Sequence, residues 1–562
     1  VEERVEVCVS EERLAGYHAY AREHGVNFVL YLIARLIVQP ACLIWVRLAR
    51  YGREHVRVSG PLLIAANHRS FLDPFVIGVT LPWRRPLHFV AKVELFEKRW
   101  QGWILSRLGA FPIRRGESDA EAMTTARMIL QRGGAVCIFP EGTRIRAGSL
   151  AEPKRGVGRL ALETGAAVVP IAVLGTELVR RGWRIRPRKV KLRAGRAMTF
   201  PRTDRPSPAL AETVTSRIWP NIELQWEWLG GLPPLRKAAI IGSGSWGTAM
   251  AILLARGGLE VQLGTRTRED AERIAATRVN ERYMPGVELP EGIAVKRAAD
   301  IELGGSDLVV LAVPSAGLPA AIGATADRIG GRSAVLMLTK GLVPPIGTLP
   351  TSYVAERVRA RAIASLGGPA HAREAVSGMA ALVLGSADAD LRSQLGAVFD
   401  RAGLRGERTD DVVGVEMAGV AKNAAALAAA AAEPHGLNAA GIAAAEVWRE
   451  CVDYGLAGGA HLDTFTGLAG VGDLTATVMA PGSRNRRAGE LLGTGVPAAQ
   501  IPDQIGQASE ALDSVPLCAE TVASAGIDAP ALEGLAALIE GRIDAGAWVA
   551  RLRRAEGSRR AA

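Results

Sequence analysis

Apolar runs of strand length recur along the N-terminal part of the chain, at "PLLIAAN" (Pro61–Asn67), "LHFVAK" (Leu87–Lys92), "GAVCIFP" (Gly134–Pro140) and "AVVPIAVLG" (Ala167–Gly175). Segments of helical character separate them, such as "SDAEAMTTARMILQRGG" (Ser118–Gly134), and this alternation predicts an α/β layer fold. In "RIRPRKVKLRAGRAMTF" (Arg184–Phe200), Ile185, Val190 and Leu192 alternate with basic residues, which predicts a strand with one core face and one cationic face. Pro and Gly in "PRTDRPSP" and "WLGGLPP" mark a domain junction near residues 230 to 236. Beyond it a strand–helix–strand rhythm runs through "KAAIIG", "EVQLGTR", "SDLVVLAVPS", "AVLMLTKG" and "AALVLGS". After Val412 the pattern turns alanine-rich. Alanine is the best helix former, so "GVAKNAAALAAAAAE" (Gly419–Glu433) reads as a tightly packed helix rather than a linker. The expected organisation is residues 1–232, 236–415 and 416–562.

The most apolar stretch, "VNFVLYLIARLIVQPACLIWVRLARYGR" (Val26–Arg53), is interrupted by Arg35, Gln39 and Pro40. Two short helices lying in a membrane interface, kinked near Pro40 and bordered by Arg47, Arg50 and Arg53, fit it better than a continuous span. An amphipathic core helix pair is the alternative. The opening "VEERVEVCVSEER" has neither a basic n-region nor an apolar h-region, so no cleaved signal peptide is expected.

At 562 residues the chain exceeds what one core organises, and 48% apolar with 22% charged residues is a globular composition. Five scattered cysteines indicate neither a disulfide framework nor a metal site, and fit a reducing cytoplasm. The formal charge of +11 favours anions: phosphorylated metabolites, coenzyme A, nucleic acid or acidic lipid. Few aromatics for base stacking and no reader motif argue against nucleic acid.

Candidate chemistry begins at "NHRSFLDP". Residues five apart lie about 140° round a helix axis, so His68 and Asp73 meet only if the chain bends between them. "LLIAA" reads as a strand and "DP" as a helix start, which places the His at a strand end with an Asp near enough to fix its tautomer, an arrangement for a general base. "FPEGTR" (Phe139–Arg144) also follows an apolar strand: Gly142 permits close backbone approach and Arg144 can fork onto a phosphate. "GAFPIRRG" supplies Arg114 and Arg115. With "VVPIAV" these four ordered blocks resemble the glycerolipid acyltransferases of the lysophosphatidic acid acyltransferase type over residues 26 to 200. The resemblance implies that His68, oriented by Asp73, deprotonates a glycerol-phosphate hydroxyl that attacks an acyl thioester. It also implies that Arg115, Glu141, Gly142, Thr143 and Arg144 hold the acceptor phosphate. Cys137 reads as core rather than nucleophile.

In "KAAIIGSGSWGTAMAILLARGG", Gly242, Gly244 and Gly247 follow a strand and open a helix, the context in which this glycine spacing cradles a pyrophosphate at a helix N-terminus. Arg266 and Arg268 stand where NAD sites carry an acidic residue, which favours NADPH over NADH, although both also read as solvated surface arginines. "GLAGVGDLTATVMAPGSRNRRAGELLG" brings Asp473, Thr477 and "SRNRR" into one segment, an inventory suited to a small polyol phosphate. With "AVPS", "LTKG", "GGPAHARE" and "GVAKNAAALAA", these blocks resemble the NAD(P)-dependent glycerol-3-phosphate dehydrogenases from residue 236 to at least 515. The resemblance implies a Rossmann domain followed by an all-α substrate domain, and hydride transfer between NADPH or NADH and dihydroxyacetone phosphate. Lys422 is then the proton donor, Lys340 orients the substrate, and Asp473 positions Lys422 or the substrate hydroxyls. Thr477, Ser483, Arg484 and Asn485 bind substrate, Gly368 and Ala370 match substrate-contact positions, and Ser245, Trp246, Lys340, Ala372, Arg484 and Glu510 match cofactor-contact positions. One stretch departs from the family: "NAAGIAAAEVWRE" carries Ala440 and Glu446 where a lysine and an arginine are usual. That puts turnover or subunit packing in question.

Together the resemblances imply a bifunctional enzyme of phospholipid synthesis on the cytoplasmic face of the plasma membrane. Its partners would be dihydroxyacetone phosphate, glycerol 3-phosphate or its 1-acyl derivative, and acyl-CoA or acyl carrier protein. Peripheral membrane contact runs through the N-terminal helices, a homodimer is allowed for, and no metal or nucleic acid is expected. The rival reading makes one half a non-catalytic membrane anchor or nucleotide sensor.

Overall fold

The structure, a computed structural model, describes residues 9–114, 119–181, 184–506 and 509–559. Two compact units divide the chain, Val1–Pro234 and Leu235–Ala562.

The first unit is built on a sheet whose strands are β1 (Ala49–Tyr51), β2 (Leu62–Ala66), β3 (Leu87–Lys92), β4 (Ala110–Ile113), β5 (Ala135–Ile138), β6 (Ala167–Leu174) and β9 (Lys191–Ala194). β7 (Arg180–Arg181) and β8 (Arg184–Ile185) form a separate hairpin. The sheet order is β1-β9-β6-β2-β5-β3-β4, parallel except between β6 and β9. "LLIAA" is an unbroken apolar run because β2 is buried on both faces: Leu62, Ile64 and Ala66 enter one cluster, Leu63 and Ala65 another. The parallel register Ala65↔Ile138 sets the C-terminal ends of β2 and β5 side by side, so the loops that follow them meet. The expected alternating strand through residues 184–200 is shorter than its pattern. Ile185 belongs to the hairpin and only Lys191–Ala194 joins the sheet, because Pro187 interrupts the run and has no N–H to give a ladder.

The apolar stretch, expected as two short helices, is one helical run: an α-helix Phe28–Pro40 that passes into a π-helical turn Ala41–Trp45. Widening the turn accommodates a proline without breaking the rod. The run is long and apolar enough to cross a membrane, by length and composition. Val29, Ile33, Leu36, Ile37 and Ile44 lie exposed at helical spacing, whereas Tyr31, Arg35 and Cys42 are buried. Arg35 turns into the unit. Its guanidinium donates to Tyr31 Oη (2.8 Å) and to the carbonyls of Val79 (3.2 Å), Leu81 (2.5 Å) and Pro82 (3.3 Å), and lies over the Trp83 ring at 4.8 Å.

The second unit carries β10 (Lys237–Ile241), β11 (Glu260–Thr265), β12 (Ile293–Arg297), β13 (Leu308–Leu311), β14 (Ala334–Met337), β15 (Ala362–Gly367), β16 (Ala381–Gly385) and β17 (Arg405–Thr409). Their order is β12-β11-β10-β13-β14-β15-β16-β17. The chain reverses direction across the sheet at β10, which opens a crevice at the strand ends where such sheets take ligands. The alanine-rich segment is the 21-residue helix Val412–Ala432, buried along nearly its whole length. Its small side chains let the Arg484–Gly493 helix approach closely: a Cβ on Gly489 would stand 2.4 Å from the Leu427 carbonyl oxygen.

Replacing Arg35 with leucine strips buried carbonyls of their donor, which costs about 3 kcal/mol. Urea unfolding of the full chain should show the first unit's transition at lower denaturant; an unchanged midpoint would mean that this arginine does not anchor the helix.

Candidate active sites

The bend that His68 and Asp73 require is present. β2 ends at Ala66 and a short helix begins at Asp73 with Pro74 in its first turn. Asp73 is fully buried and its carboxylate is saturated: Oδ2 accepts His68 Nδ1–H at 2.9 Å and the backbone N–H groups of Arg69 and Ser70 at 2.7 Å, and Oδ1 accepts the Thr176 hydroxyl at 2.5 Å. The proton on Nδ1 leaves the lone pair on Nε2. Arg144 reports the same tautomer, because a guanidinium can only donate and its Nε lies 3.2 Å from His68 Nε2. Phe139 stacks on the imidazole at 4.1 Å, and Cys137 is fully buried with its thiol pushed up by desolvation.

The two loops are stitched together by backbone: Ile145 N–H donates to the His68 carbonyl at 2.8 Å. Glu141, expected against the acceptor phosphate, instead turns inward. Its carboxylate accepts the N–H groups of His68 (2.6 Å) and Ala151 (3.1 Å), and burial raises its pKa to about 7. Two occupied oxygens and a buried position make it a brace between the His68 loop and the loop that follows β5. Gly142 has φ +69°, Thr143 is exposed, and Arg144 is half-buried, with its pKa lowered by desolvation. Arg115 lies outside the described residues. Sequence reasoning missed Lys154, whose Nζ stands 3.1 Å from where a Cβ on Gly142 would be. It also missed Arg69, buried over the Trp226 ring at 4.8 Å and 3.7 Å from Glu177. Neither carries a spacing signal; Lys154 could have been suspected only from its nearness to "FPEGTR".

In the second unit the glycines divide their tasks. Gly242 has φ +110° and a Cβ there would meet the Ala312 carbonyl oxygen at 2.4 Å; one on Gly247 would stand 1.9 Å from the Gly242 oxygen. A Cβ on Gly244 meets nothing within 4 Å. The turn, the helix–strand approach and the ligand-facing gap are therefore separate, and the N-terminus of the Ser245–Arg256 helix faces that gap, which fits a dinucleotide pyrophosphate. The Ser245 hydroxyl donates to the Tyr283 carbonyl (3.1 Å), and Trp246 packs on the core. Arg266 and Arg268 are exposed at the end of β11.

Lys422, on the buried Val412–Ala432 helix, lies 3.0 Å from Thr477 Oγ1 and 3.4 Å from Asp473 Oδ1, while Lys340 Nζ lies 2.7 Å from Asp473 Oδ2. Burial lowers the Lys422 pKa to about 8, Asp473 opposing and Lys340 adding to the fall. Burial pushes the Asp473 carboxyl up, but the two lysines outweigh it and hold it below its ordinary value. Thr477 donates to the Asp473 carbonyl (2.7 Å) and so presents its oxygen to Lys422. A relay that sequence reasoning missed fixes Lys340: the Ser509 hydroxyl donates to Asn485 Oδ1 (2.8 Å), Asn485 Nδ2 to Asn423 Oδ1 (2.7 Å), and Asn423 Nδ2 to the Lys340 carbonyl (2.9 Å). Ser483 caps the Arg484–Gly493 helix, with Arg484 exposed at its first turn. Glu510 accepts backbone N–H groups of Lys340 and Ser315, and burial raises its pKa. Gly368 (φ +101°) would drive a Cβ to 2.6 Å from the Ala381 oxygen; Ala370 is buried and Ala372 opens the Ala372–Val376 helix. Glu446 spends its carboxylate on Arg449 at 2.8 Å, and Ala440 sits on the same Leu437–Ala457 helix. Among the described residues no cluster of His, Cys, Asp and Glu could hold a metal.

The family model described as Acyltransferase matches residues 47–174. Those described as NAD-dependent glycerol-3-phosphate dehydrogenase N-terminus and C-terminus match residues 237–392 and 411–550. The glycerol-3-phosphate dehydrogenase (NAD(P)+) of Polaromonas naphthalenivorans is 33% identical over 342 residues, 56% of this chain and 96% of the relative. That of Variovorax paradoxus is 37% identical over 324 residues, 55% of this chain and 94% of the relative. The crystal structure of glycerol-3-phosphate dehydrogenase from Coxiella burnetii, 30% identical, superposes with a TM-score of 0.53, covering 57% of this chain and 99% of that one.

Alanine at Gly244 should leave stability within about 0.5 kcal/mol of the parent while reducing dinucleotide affinity at least about tenfold. Alanine at Gly247 should cost about 3 kcal/mol, because backbone must shift. Urea titration and coenzyme fluorescence separate the two; equal stability losses would refute the division of tasks.

Proposed function

The chain belongs to the NAD(P)-dependent glycerol-3-phosphate dehydrogenase family and carries an acyltransferase domain ahead of it, and from that premise we propose a bifunctional enzyme of glycerolipid synthesis. The second unit reduces dihydroxyacetone phosphate to sn-glycerol 3-phosphate. The first transfers an acyl group from coenzyme A or acyl carrier protein to that product or to its 1-acyl derivative. The observation that carries the reading is that one chain holds two buried pairings suited to proton transfer: His68 with Asp73, and Lys422 with Asp473 and Lys340.

In the second unit the glycine loop would hold the pyrophosphate, and Arg266 with Arg268 would favour a 2′-phosphate, hence NADPH over NADH. When bound, the reduced nicotinamide supplies the hydride to the substrate carbonyl carbon. Lys422 gives its proton to the carbonyl oxygen and is left neutral. Asp473 keeps the two ammonium groups apart and aimed, Lys340 orients the substrate, and Ser483 and Arg484 at a helix N-terminus hold the phosphate. In the first unit His68 Nε2 takes the proton of an acceptor hydroxyl whose oxygen attacks the thioester carbon; the C–S bond breaks and the sulfur leaves as a thiol carrying that proton. Arg144, Lys154 and the Gly142 turn receive the acceptor phosphate. The exposed apolar face of Phe28–Trp45 supports peripheral contact with the cytoplasmic face of the plasma membrane, where acyl acceptors and products reside.

Purified full chain given labelled dihydroxyacetone phosphate, NADPH or NADH, and oleoyl-CoA should oxidise the nicotinamide and carry label into lysophosphatidate. If glycerol 3-phosphate accumulates and only added 1-acyl-glycerol 3-phosphate is esterified, the acceptor is the monoacyl compound. No nicotinamide oxidation and no esterification would defeat the reading.

The pH dependence carries a definite sign. Reduction needs the protonated lysine, so kcat/KM should fall as pH rises through about 8, whereas oxidation of glycerol 3-phosphate, which needs the neutral amine, should rise across the same window. Lys422→Met should lower both by about a thousandfold. A reduction rate flat from neutral pH to well above 8 would exclude Lys422 as donor.

A further inference from the structure

Arg144 is a half-buried guanidinium that makes no ion pair among the described residues; its Nε donates to the nitrogen of His68 that carries the lone pair. The base is thus capped in the molecule as it stands. Cations gather around the cap. On the Arg144 guanidinium Arg146 works in the same direction as burial, with the Asp73 carboxylate opposing both; Lys154 Nζ stands over the Gly142 turn, and Glu141, the carboxylate of the same loop, is turned away onto backbone. A neutral imidazole is a poor partner for such a group. A phosphate dianion forms charge-assisted bonds roughly twice as strong and can take two N–H groups at once.

We infer that Arg144 gates the acyl-transfer centre. Without a phosphorylated acceptor it occupies the lone pair of His68 Nε2; an acceptor phosphate draws the guanidinium away and frees the base only when an acceptor is in place. The inference rests on the acyl-transfer reading of this site. It makes Arg144 a specificity determinant against water and unphosphorylated alcohols as well as a phosphate contact. The reaction held in check is thioester hydrolysis: water loses a proton to His68 Nε2, its oxygen bonds to the carbonyl carbon, the C–S bond breaks, and the sulfur leaves as a thiol, giving fatty acid and coenzyme A. The shift follows from differential affinity, since the uncapped arrangement gives the phosphate the full Arg144 fork, whereas the capped one keeps Nε on His68.

The test uses the full chain with oleoyl-CoA and no acyl acceptor, following free thiol. Methyl phosphate, which offers a phosphate but no acceptor hydroxyl, should raise hydrolysis by the wild-type protein about tenfold, the factor corresponding to about 1.4 kcal/mol, or one hydrogen bond. Arg144→Ala and Arg144→Lys should hydrolyse about tenfold faster than wild type without methyl phosphate and respond little to it, while losing transfer to glycerol phosphate acceptors. Adding His68→Ala to Arg144→Ala should return hydrolysis to background. A variant that merely misfolds loses both reactions and cannot gain one. Wild-type hydrolysis unmoved by methyl phosphate overturns the gate, even where the arginine variants leak. Wild-type protein that transfers acyl groups to neither glycerol 3-phosphate nor its 1-acyl derivative defeats the underlying acyl-transfer reading instead.

Discussion

A buried carboxylate cannot be left without partners, and both centres of this chain are organised around one. Asp73 collects an imidazole N–H, two backbone N–H groups and a hydroxyl, so His68 is fixed in one tautomer with its lone pair outward. Asp473 collects two ammonium groups on its two oxygens. Removing either carboxylate would leave more than a missing contact: the groups it holds would have to find new partners in a site that offers few. The rest of each site is support for that arrangement. Glu141 ties the His68 backbone to the following loop, and the Ser509–Asn485–Asn423 relay ties down Lys340.

Topology explains why residues distant in sequence converge. In the first unit "NHRSFLD" and "FPEGTR" leave the same end of two adjacent parallel strands, whose register leaves their loops little freedom to separate. In the second the sheet reverses order at β10, and the buried Val412–Ala432 helix brings Lys422 to Thr477 and Asp473. Alanine makes that approach possible. What looks like low complexity in "AAALAAAAA" is the steric condition for packing a lysine-bearing helix against its neighbours, with Gly489 meeting the Leu427 carbonyl.

Legibility in the sequence followed the range of the constraint. Fully buried strands, the glycine turn and the Asp-Pro helix start are written in contiguous residues, and all appear in the structure where the pattern puts them. Pairings across the fold are not written that way. Thr176 is far from Asp73 in sequence and its role comes only from β6 lying beside β2. Asn423 and Ser509 have no spacing that announces a relay. Glu141 reads as a phosphate contact because it shares "FPEGTR" with Gly142 and Arg144, yet adjacent residues of a tight turn point in different directions. The Phe28–Trp45 run shows the converse: Arg35 read as a charge breaking an apolar span, whereas it faces the protein and leaves the outer face apolar.

The two proton-transfer groups are tuned by different physics, and the difference suits the direction of each proton. On the proposed reading His68 accepts one, and what the fold supplies is orientation: Asp73 holds Nδ1–H and leaves the Nε2 lone pair outward. On the same reading Lys422 gives one, and an ammonium at its ordinary pKa near 10.4 holds its proton too tightly for efficient transfer at neutral pH. Burial lowers it to about 8, and Asp473 keeps it from falling further and so from losing the proton altogether. Both sites gather cations: two lysines share the Asp473 carboxylate in the second, and Arg144, Arg146 and Lys154 make no ion pair among the described residues in the first. On the proposed reading a phosphate on the ligand meets those cations in each, so that one three-carbon phosphate would suit two unrelated folds on the same chain.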